Sequence, residues 1–543
     1  MLKFLKTAIT VLMAALLALG GAAAALAESP APGTLPLTDE PVTLRIFFQQ
    51  EPQVLDYVDN KLTKHLQKLT NVAIDWDLVL SQDKTQKLNL LLATGQGLPD
   101  VFMGGMDTST LVEYAAQGTF IPLNDYIEND SKWFKEVLAI FPDLKKMMTA
   151  PDGNIYALPN INMSEPNMMP SHLWINKVWL DNLGLEMPTT TDELKAVLAA
   201  FKTKDPNGNG KADEIPMMGA TTGWSTLADT FILNAFLQYP TDSNGTGSRR
   251  YTIADGKISP VYDKEAYKEG LKFMHELVAE GLLDPATFTQ DAAQMKQIFE
   301  NPDVAILGAL TAGGPNTFAN MTGSTRFRDY VAVPPLKGPQ GVQLTAYNPY
   351  GYFNNANCWA ITSACKNPDV AFRLGDLFFS EEISMWGRLG EPGTDYIKNP
   401  VGKKAVDGGD ALFEAILVYG SEQKSHWQNR NPYYNFFDNK GVASEDPYAL
   451  QDLLWNTMLT YKPFAPAPEA CLPPLIYTVE EARELNEINT ALVQYIDETR
   501  VAFITGGDID AAWEGYLNEL KNINYERAIQ IMQQAYDRFM ASK

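Results

Sequence analysis

The chain predicts an α/β fold spread over more than one domain. Strand-like and helix-like segments alternate along it instead of being segregated, which is the grammar of parallel sheets covered by helices. Its 543 residues exceed what a single core supports, so two or more domains are expected. A hydrophobic content of 45%, with 11% aromatic residues, is enough to bury large cores and excludes extensive disorder.

The first residues read as an address. Lys3 and Lys6 make a short positive region, residues 8–19 are apolar, and Ala25-Leu26-Ala27 has the small-x-small form of a signal peptidase site. Residues 1–27 are therefore expected to be removed, leaving a mature chain that starts near Glu28. A lipid anchor would need a cysteine directly after the cut, and the first cysteine is Cys358, so none is expected. Residues 28–41 are rich in Pro, Ser and Thr and read as a flexible lead-in.

The elements follow in order. Strands are predicted over 42–48 and 71–79. Leu88, Leu91 and Leu92 lie at helical spacing with Gly95 as the stop, and residues 99–102 open a further short strand. Thr190-x-x-Glu193 is a capping box ahead of Leu194, Val197, Leu198 and Phe201 on one helical face. Asn367-Pro368 is expected to cap a helix carrying Val370, Leu374, Leu377 and Phe378. Thr478-x-x-Glu481 opens another, with Leu485, Ile488 and Leu492.

Charge and motifs exclude several function classes. The formal charge of −23 becomes −25 without the two leader lysines, which leaves no basic footprint for nucleic acid. Three cysteines, Cys358, Cys365 and Cys471, have no metal-like spacing. Seven extended residues would hold the first two about 23 Å apart, too far for a disulfide, so all three read as small buried hydrophobes. The chain contains no Gly-x-Ser-x-Gly elbow and no phosphate-binding loop, and His275-Glu276 lacks the second histidine of a zinc protease. His65, His172, His275 and His426 are scattered and read as surface or packed residues.

Residues 205–214 read Asp-Pro-Asn-Gly-Asn-Gly-Lys-Ala-Asp-Glu. Oxygen side chains fall at loop positions one, three, five and nine (Asp205, Asn207, Asn209, Asp213), with Gly210 at the turn and the Lys211 carbonyl at seven. This is the opening of an EF-hand-type loop and suits Ca2+ better than the stricter Mg2+. Pro216 stands where the bidentate Glu belongs, and Glu214 is the substitute. A solvated turn is the plainer alternative, since these are all turn residues; five oxygens in register weigh against it.

The succession Leu-Trp-Ile-Asn-Lys (173–177), Trp-Leu-Asp-Asn-Leu-Gly (179–184) and Pro-Thr-Thr-Thr-Asp-Glu-Leu (188–194) runs directly into this loop. It resembles the extracellular solute-binding proteins of ABC importers, in the branch that serves oligosaccharides. It is similar in particular to the alginate- and fructo-oligosaccharide-binding members, which carry a calcium loop of this form. Gly-Thr-Phe-Ile-Pro-Leu (118–123), Asp-Gly-Asn-Ile-Tyr-Ala-Leu-Pro (152–159) and Gly-Glu-Pro-Gly-Thr-Asp-Tyr (390–396) agree, and the likeness covers nearly the whole mature chain.

The resemblance implies a periplasmic-binding-protein-like fold, two α/β lobes joined by a hinge with the ligand cleft between them. The expected division is 42–160 with 335–395 in one lobe and 161–334 with 396–543 in the other. It implies an oligosaccharide ligand, structural Ca2+, membrane permease partners, a monomer, no nucleic acid and no catalysis. A sugar cleft needs aromatic faces and polar groups for hydroxyls. The candidates are Gln49 and Gln50 just past the first strand, Trp224, Tyr350, Tyr352, Trp386, Glu391, Trp427 and Arg430. The net charge favours a neutral glycan over a uronate, with Arg388 and Arg430 able to reverse this if they face the cleft. A secreted glycosidase or lyase, or a peptide receptor of similar architecture, are the alternatives.

Overall fold

The computed structural model describes residues 31–241, 250–418, 420–428 and 430–542; the expected leader and cleavage point lie outside them. Fourteen strands occur among the described residues. The first four are Val42–Gln49 (β1), Val72–Val79 (β2), Val101–Met103 (β3) and Leu158–Asn162 (β4). His172–Asn176 (β5) and Ile215–Met218 (β6) follow, then a hairpin of Tyr251–Ala254 (β7) and Lys257–Pro260 (β8). Leu307–Ala312 (β9), Tyr330–Val333 (β10) and Phe353–Ile361 (β11) come next. Tyr396–Lys398 (β12) pairs with Phe413–Ala415 (β13), and Tyr433–Asn435 (β14) is the last.

Two sheets organise the molecule. One has the order β14-β4-β11-β3-β1-β2, the other β10-β5-β9-β6. β1 lies parallel to both neighbours and is buried on both sides: Leu44, Ile46 and Phe48 enter one core and Phe47 the opposite one. The double burial is confined to the C-terminal half, Ile46-Phe47-Phe48, which is where the strand is continuously apolar. Helices Lys61–Thr70, Pro368–Leu377 and Glu381–Leu389 cover the first face, and Lys84–Thr94 and Thr108–Ala116 the second. The other sheet has its own core, into which the C-terminal helices Val479–Thr505, Ile509–Asn522 and Tyr525–Ala541 pack.

Local signals fix the helix ends. The Thr190–Glu193 and Thr478–Glu481 capping boxes form with both reciprocal bonds, and Gly95 closes its helix at φ 62°. Asn367 is a correction: its side chain makes no capping bond, and Pro368 alone sets the start of that helix. All three cysteines are free thiols, Cys358 and Cys471 buried and Cys365 half-buried.

Among the described residues, 163–171 (β4 to β5) and 334–352 (β10 to β11) join the two sheets, and a third crossing, 436–449, runs from β14 to helix Leu450–Tyr461. They run side by side. Asn162 N–H donates to Tyr352 O and Met163 N–H to Asn435 O, both at 2.8 Å, and Asn348 N–H donates to Met168 O at 2.9 Å. Residues 396–435, expected with the second lobe, give β14 and a core tryptophan, Trp427, to the first sheet. The reason is pairing: β14 hydrogen-bonds alongside β4, which no local pattern announces.

Strand direction places the crevice. The crossings leave the first sheet at the C-terminal ends of β4 and β14, the edge where β1 and β3 also end. The first two meet the second sheet at His172 of β5 and Val333 of β10; His172 pairs with Ala312 at the C-terminal end of β9, and β6 ends on that same edge. The C-terminal ends of β1 and β3 therefore border the same space as those of β6 and β9, where open α/β sheets bind ligands.

Candidate functional site

The second sheet supplies the best-built part of the crevice. After β6 the chain turns through 219–226, held by its own side chains. Thr226 Oγ1 donates to Ala220 O at 3.1 Å and to Thr222 O at 3.0 Å, and Thr311 Oγ1 donates to Thr226 O at 2.6 Å. Gln290 Nε2 donates to Gly219 O at 2.7 Å. Ser225 is held at φ 53°, an unusual state for a non-glycine residue that the surrounding bonds enforce. This turn carries Trp224. Its carbonyl accepts from Gly313 N–H at 2.7 Å, and its ring lies against the Gly313–Gly314 backbone that follows β9. Trp224 is half-buried.

The first sheet supplies polar groups. Gln49 and Gln50 are half-buried at the end of β1, and Gln50 N–H donates to Val79 O at 2.8 Å. Their side-chain amides make no hydrogen bond among the described residues. Arg430 is exposed and its Nε stands 3.0 Å from Glu51 Oε1; Glu51 N–H donates to the Tyr57 hydroxyl at 2.8 Å. Burial raises that phenol to about 12. Arg388 Nε is 3.2 Å from Asp438 Oδ1, and both side chains are nearly buried. The two arginines able to favour an anionic sugar thus each carry a carboxylate partner.

The remaining candidates lie elsewhere. Trp427 is fully buried, its ring edge-on to Trp76 at 4.9 Å and to Phe378 at 5.7 Å, and its Nε1 donates to Thr63 Oγ1 at 3.0 Å. It is a core residue with no face for a sugar. Trp386 is likewise corrected: it is 7% exposed and stacked on His65 at 3.9 Å. Glu391 is ion-paired with Lys61 at 3.1 Å, beside Asp395. Tyr352 stacks on Phe141 at 4.9 Å, and Tyr350 is half-buried against the first core; both sit on the 334–352 crossing or its end. Gly313, Gly314, Glu51 and the buried His172 beneath Gly313 were missed. The Gly-Gly-Pro run directly after an apolar strand was a legible signal for the first two, since backbone exposed at a strand's C-terminal end is where ligands approach.

The acidic loop closes on its own side chains. Asp205, Asn207, Asn209, Asp213 and Glu214 are half-buried, while Gly208, Gly210 and Lys211 are exposed. Asp205 is at φ 48°; its Oδ1 accepts from Asn209 N–H at 3.1 Å and its Oδ2 from Gly210 N–H at 2.9 Å. Asn209 Oδ1 accepts from Lys211 N–H at 2.8 Å, and the Asn207 and Asn209 amides both reach Asp213. Glu214 Oε1 is buried without a hydrogen-bond partner. Burial, and then the charges of Asp205 and Asp213, hold its carboxyl above the ordinary value. An orphaned carboxylate oxygen coupled to two others, beside amide oxygens, is a donor set that fits a hard cation. Among the described residues no three His, Cys, Asp or Glu side chains already stand as a metal cluster, so binding would need the amides and the main chain as well.

Residues 51–385 match the family described as bacterial extracellular solute-binding protein. The chain is 30% identical over 524 residues to the fructooligosaccharide ABC transporter substrate-binding protein FusA of Streptococcus pneumoniae, covering 94% of this chain and 93% of that one. The structure of the S. pneumoniae protein in complex with kestose superposes with a TM-score of 0.75 at 28% identity, over 92% of this chain and 100% of that chain. Its EF-hand mutant, in complex with fructo-nystose, matches at 27% identity and the same TM-score, again over 92% of this chain and 100% of that one. The alginate-binding protein AlgQ2, solved without calcium ion, shares the fold at 23% identity and TM-score 0.65, over 92% of this chain and 99% of that chain.

Proposed function

The chain belongs to the bacterial extracellular solute-binding proteins, and from that premise we propose that it captures a neutral oligosaccharide outside the cytoplasmic membrane and hands it to the permease of an ABC importer. What supports the reading is the half-buried Trp224 with its ring against the Gly313–Gly314 backbone after β9, together with the unengaged amides of Gln49 and Gln50 at the C-terminal end of β1. An indole face covers the apolar face of a pyranose or furanose ring, and amides both donate to and accept from hydroxyls. Arg430 and Arg388 each being paired with a carboxylate supports a neutral sugar over a uronate. The first lobe is assigned to the sheet containing β1 and β14 and the second to the sheet containing β9, with the three crossings as the hinge.

The protein acts as a monomeric receptor and returns its ligand intact. Calorimetry against a glycan panel that includes kestose tests this, followed by chromatography of the recovered sugar. One neutral oligosaccharide is expected to bind and to elute unchanged. Shortened products would establish an enzyme, and binding to peptides alone would reject the sugar reading.

A structural Ca2+ is held by Asp205, Asn207, Asn209, Asp213 and Glu214 with the Lys211 carbonyl. When bound, Ca2+ would supply the positive charge that lets Asp205, Asp213 and Glu214, whose charges are coupled, stay ionised together.

The mature form begins at or near Glu28 and carries no lipid. No helix of the described residues is long and apolar enough to cross a membrane. Amino-terminal sequencing of native protein is expected to return Glu28 or a close neighbour. An uncut chain found in the membrane fraction would mean the leader is an anchor.

A further inference from the structure

Trp224 can serve as a platform only if its ring is held at one angle, and the chain it rests on has an unusual composition. A Cβ built on Gly313 would fall 2.2, 2.6 and 2.6 Å from the Trp224 ring atoms Cδ2, Cε2 and Cε3. These are its three nearest atoms, so the indole itself occupies the space that any side chain at 313 would need. A Cβ on Gly314 would meet Trp224 Cζ3 at 3.2 Å, besides Leu454 and Asn316. The Gly313 N–H donates to the Trp224 carbonyl at 2.7 Å, which ties the two backbones together. Beneath them the fully buried His172 places Nδ1 3.1 Å from the Gly313 carbonyl, and its ring is edge-on to Trp174 at 5.9 Å and to Tyr461 at 4.6 Å. Gly313 is thus bonded on both sides, to the tryptophan above through its amide and to the histidine below through its carbonyl.

We infer that Gly313 is the positioning residue of this sugar site: it is glycine so that the Trp224 indole can lie flat on backbone, one face spent on the protein and the other left for ligand. The inference rests on the reading of Trp224 as the platform. Backbone conformation does not call for glycine there, since Gly313 is not among the positive-φ residues. Seated on a peptide plane anchored by His172, the ring loses little freedom when a sugar binds, and preorganisation of that kind strengthens binding without adding a contact.

The test is Gly313→Ala in full-length mature protein labelled with 5-fluorotryptophan, of which the chain has ten tryptophans to label. Trp224→Ala identifies the Trp224 resonance by its loss. Gly313→Ala is expected to shift or broaden that resonance before any sugar is added. With the tightest-binding sugar of the panel, affinity should fall at least tenfold, and Trp224→Ala with Gly313→Ala should bind no more weakly than Trp224→Ala alone. An unmoved resonance and unchanged affinity in Gly313→Ala would overturn the inference. A moved resonance while Trp224→Ala keeps full affinity would reject Trp224 as the platform, and with it the role of Gly313 in the sugar site; an unmoved resonance while Trp224→Ala loses affinity would overturn the role of Gly313 alone. Where Gly313→Ala does not fold, Trp224→Leu in the same chain removes the clashing ring; recovery of the fold supports the assignment, and failure to recover overturns it.

Discussion

Trp427→Ala is expected to destabilise the first lobe by about 3–5 kcal/mol, the range for truncating a large buried aromatic. The ring is fully buried and wedged between Trp76 and Phe378. Its removal also takes away the donor to Thr63 Oγ1, which keeps only its own bond to the Tyr57 carbonyl. The effect should be confined to stability. At a temperature where the variant is still folded, sugar affinity should stay within about threefold of the parent, well below one tenfold step of 1.4 kcal/mol. Urea unfolding monitored by tryptophan fluorescence, with calorimetry at low temperature, separates the two. A variant with an unchanged transition but no sugar binding would return Trp427 to the cleft.

That contrast with Trp224 shows where the sequence was legible. Both tryptophans sit in stretches without a clear apolar period, so pattern alone ranks them equally. Trp427 is buried because 423–435 returns to the first sheet and adds β14 beside β4, a pairing between residues far apart in the chain. Trp386 is buried for a local reason that periodicity could have shown: it lies on the face of helix Glu381–Leu389 that carries Ile383 into the core. Strands β1 and β2, the two capping boxes and the acidic loop were readable because each rests on residues close in sequence. Gln49 and Gln50 were proposed from topology, since a parallel strand points its C-terminal end at the crevice. The pairing of Arg430 with Glu51 was not legible. It joins residues from opposite parts of the chain and gives an exposed guanidinium a carboxylate partner.

The acidic loop gives the second large effect. If Ca2+ binds the folded loop alone, ion at a hundredfold excess over its Kd adds about 2.7 kcal/mol. Chelation should then lower the melting temperature on the order of 5–10 °C for a lobe of this size. Asp205→Ala should melt like the chelated parent and ignore added Ca2+, with sugar selectivity unchanged, because the loop lies outside the crevice residues. The pH dependence has a definite sign. Burial, with the charges of Asp205 and Asp213, raises the Glu214 pKa above its ordinary 4.5 in the folded chain. In chelated protein this carboxyl therefore favours the fold below the unfolded value, and that contribution is lost as pH rises through the raised one. Ca2+ needs the ionised form, so its stabilisation runs the other way, full above the raised pKa and displaced by protons below it. The melting curves of loaded and chelated protein should converge as pH falls through that window. Glu214→Gln should raise the neutral-pH stability of the chelated protein while weakening its response to Ca2+, because it removes one of three mutually repelling charges together with a ligand. Elemental analysis finding no calcium would reject the metal site, and a calcium increment unaffected by acid would remove Glu214 from it.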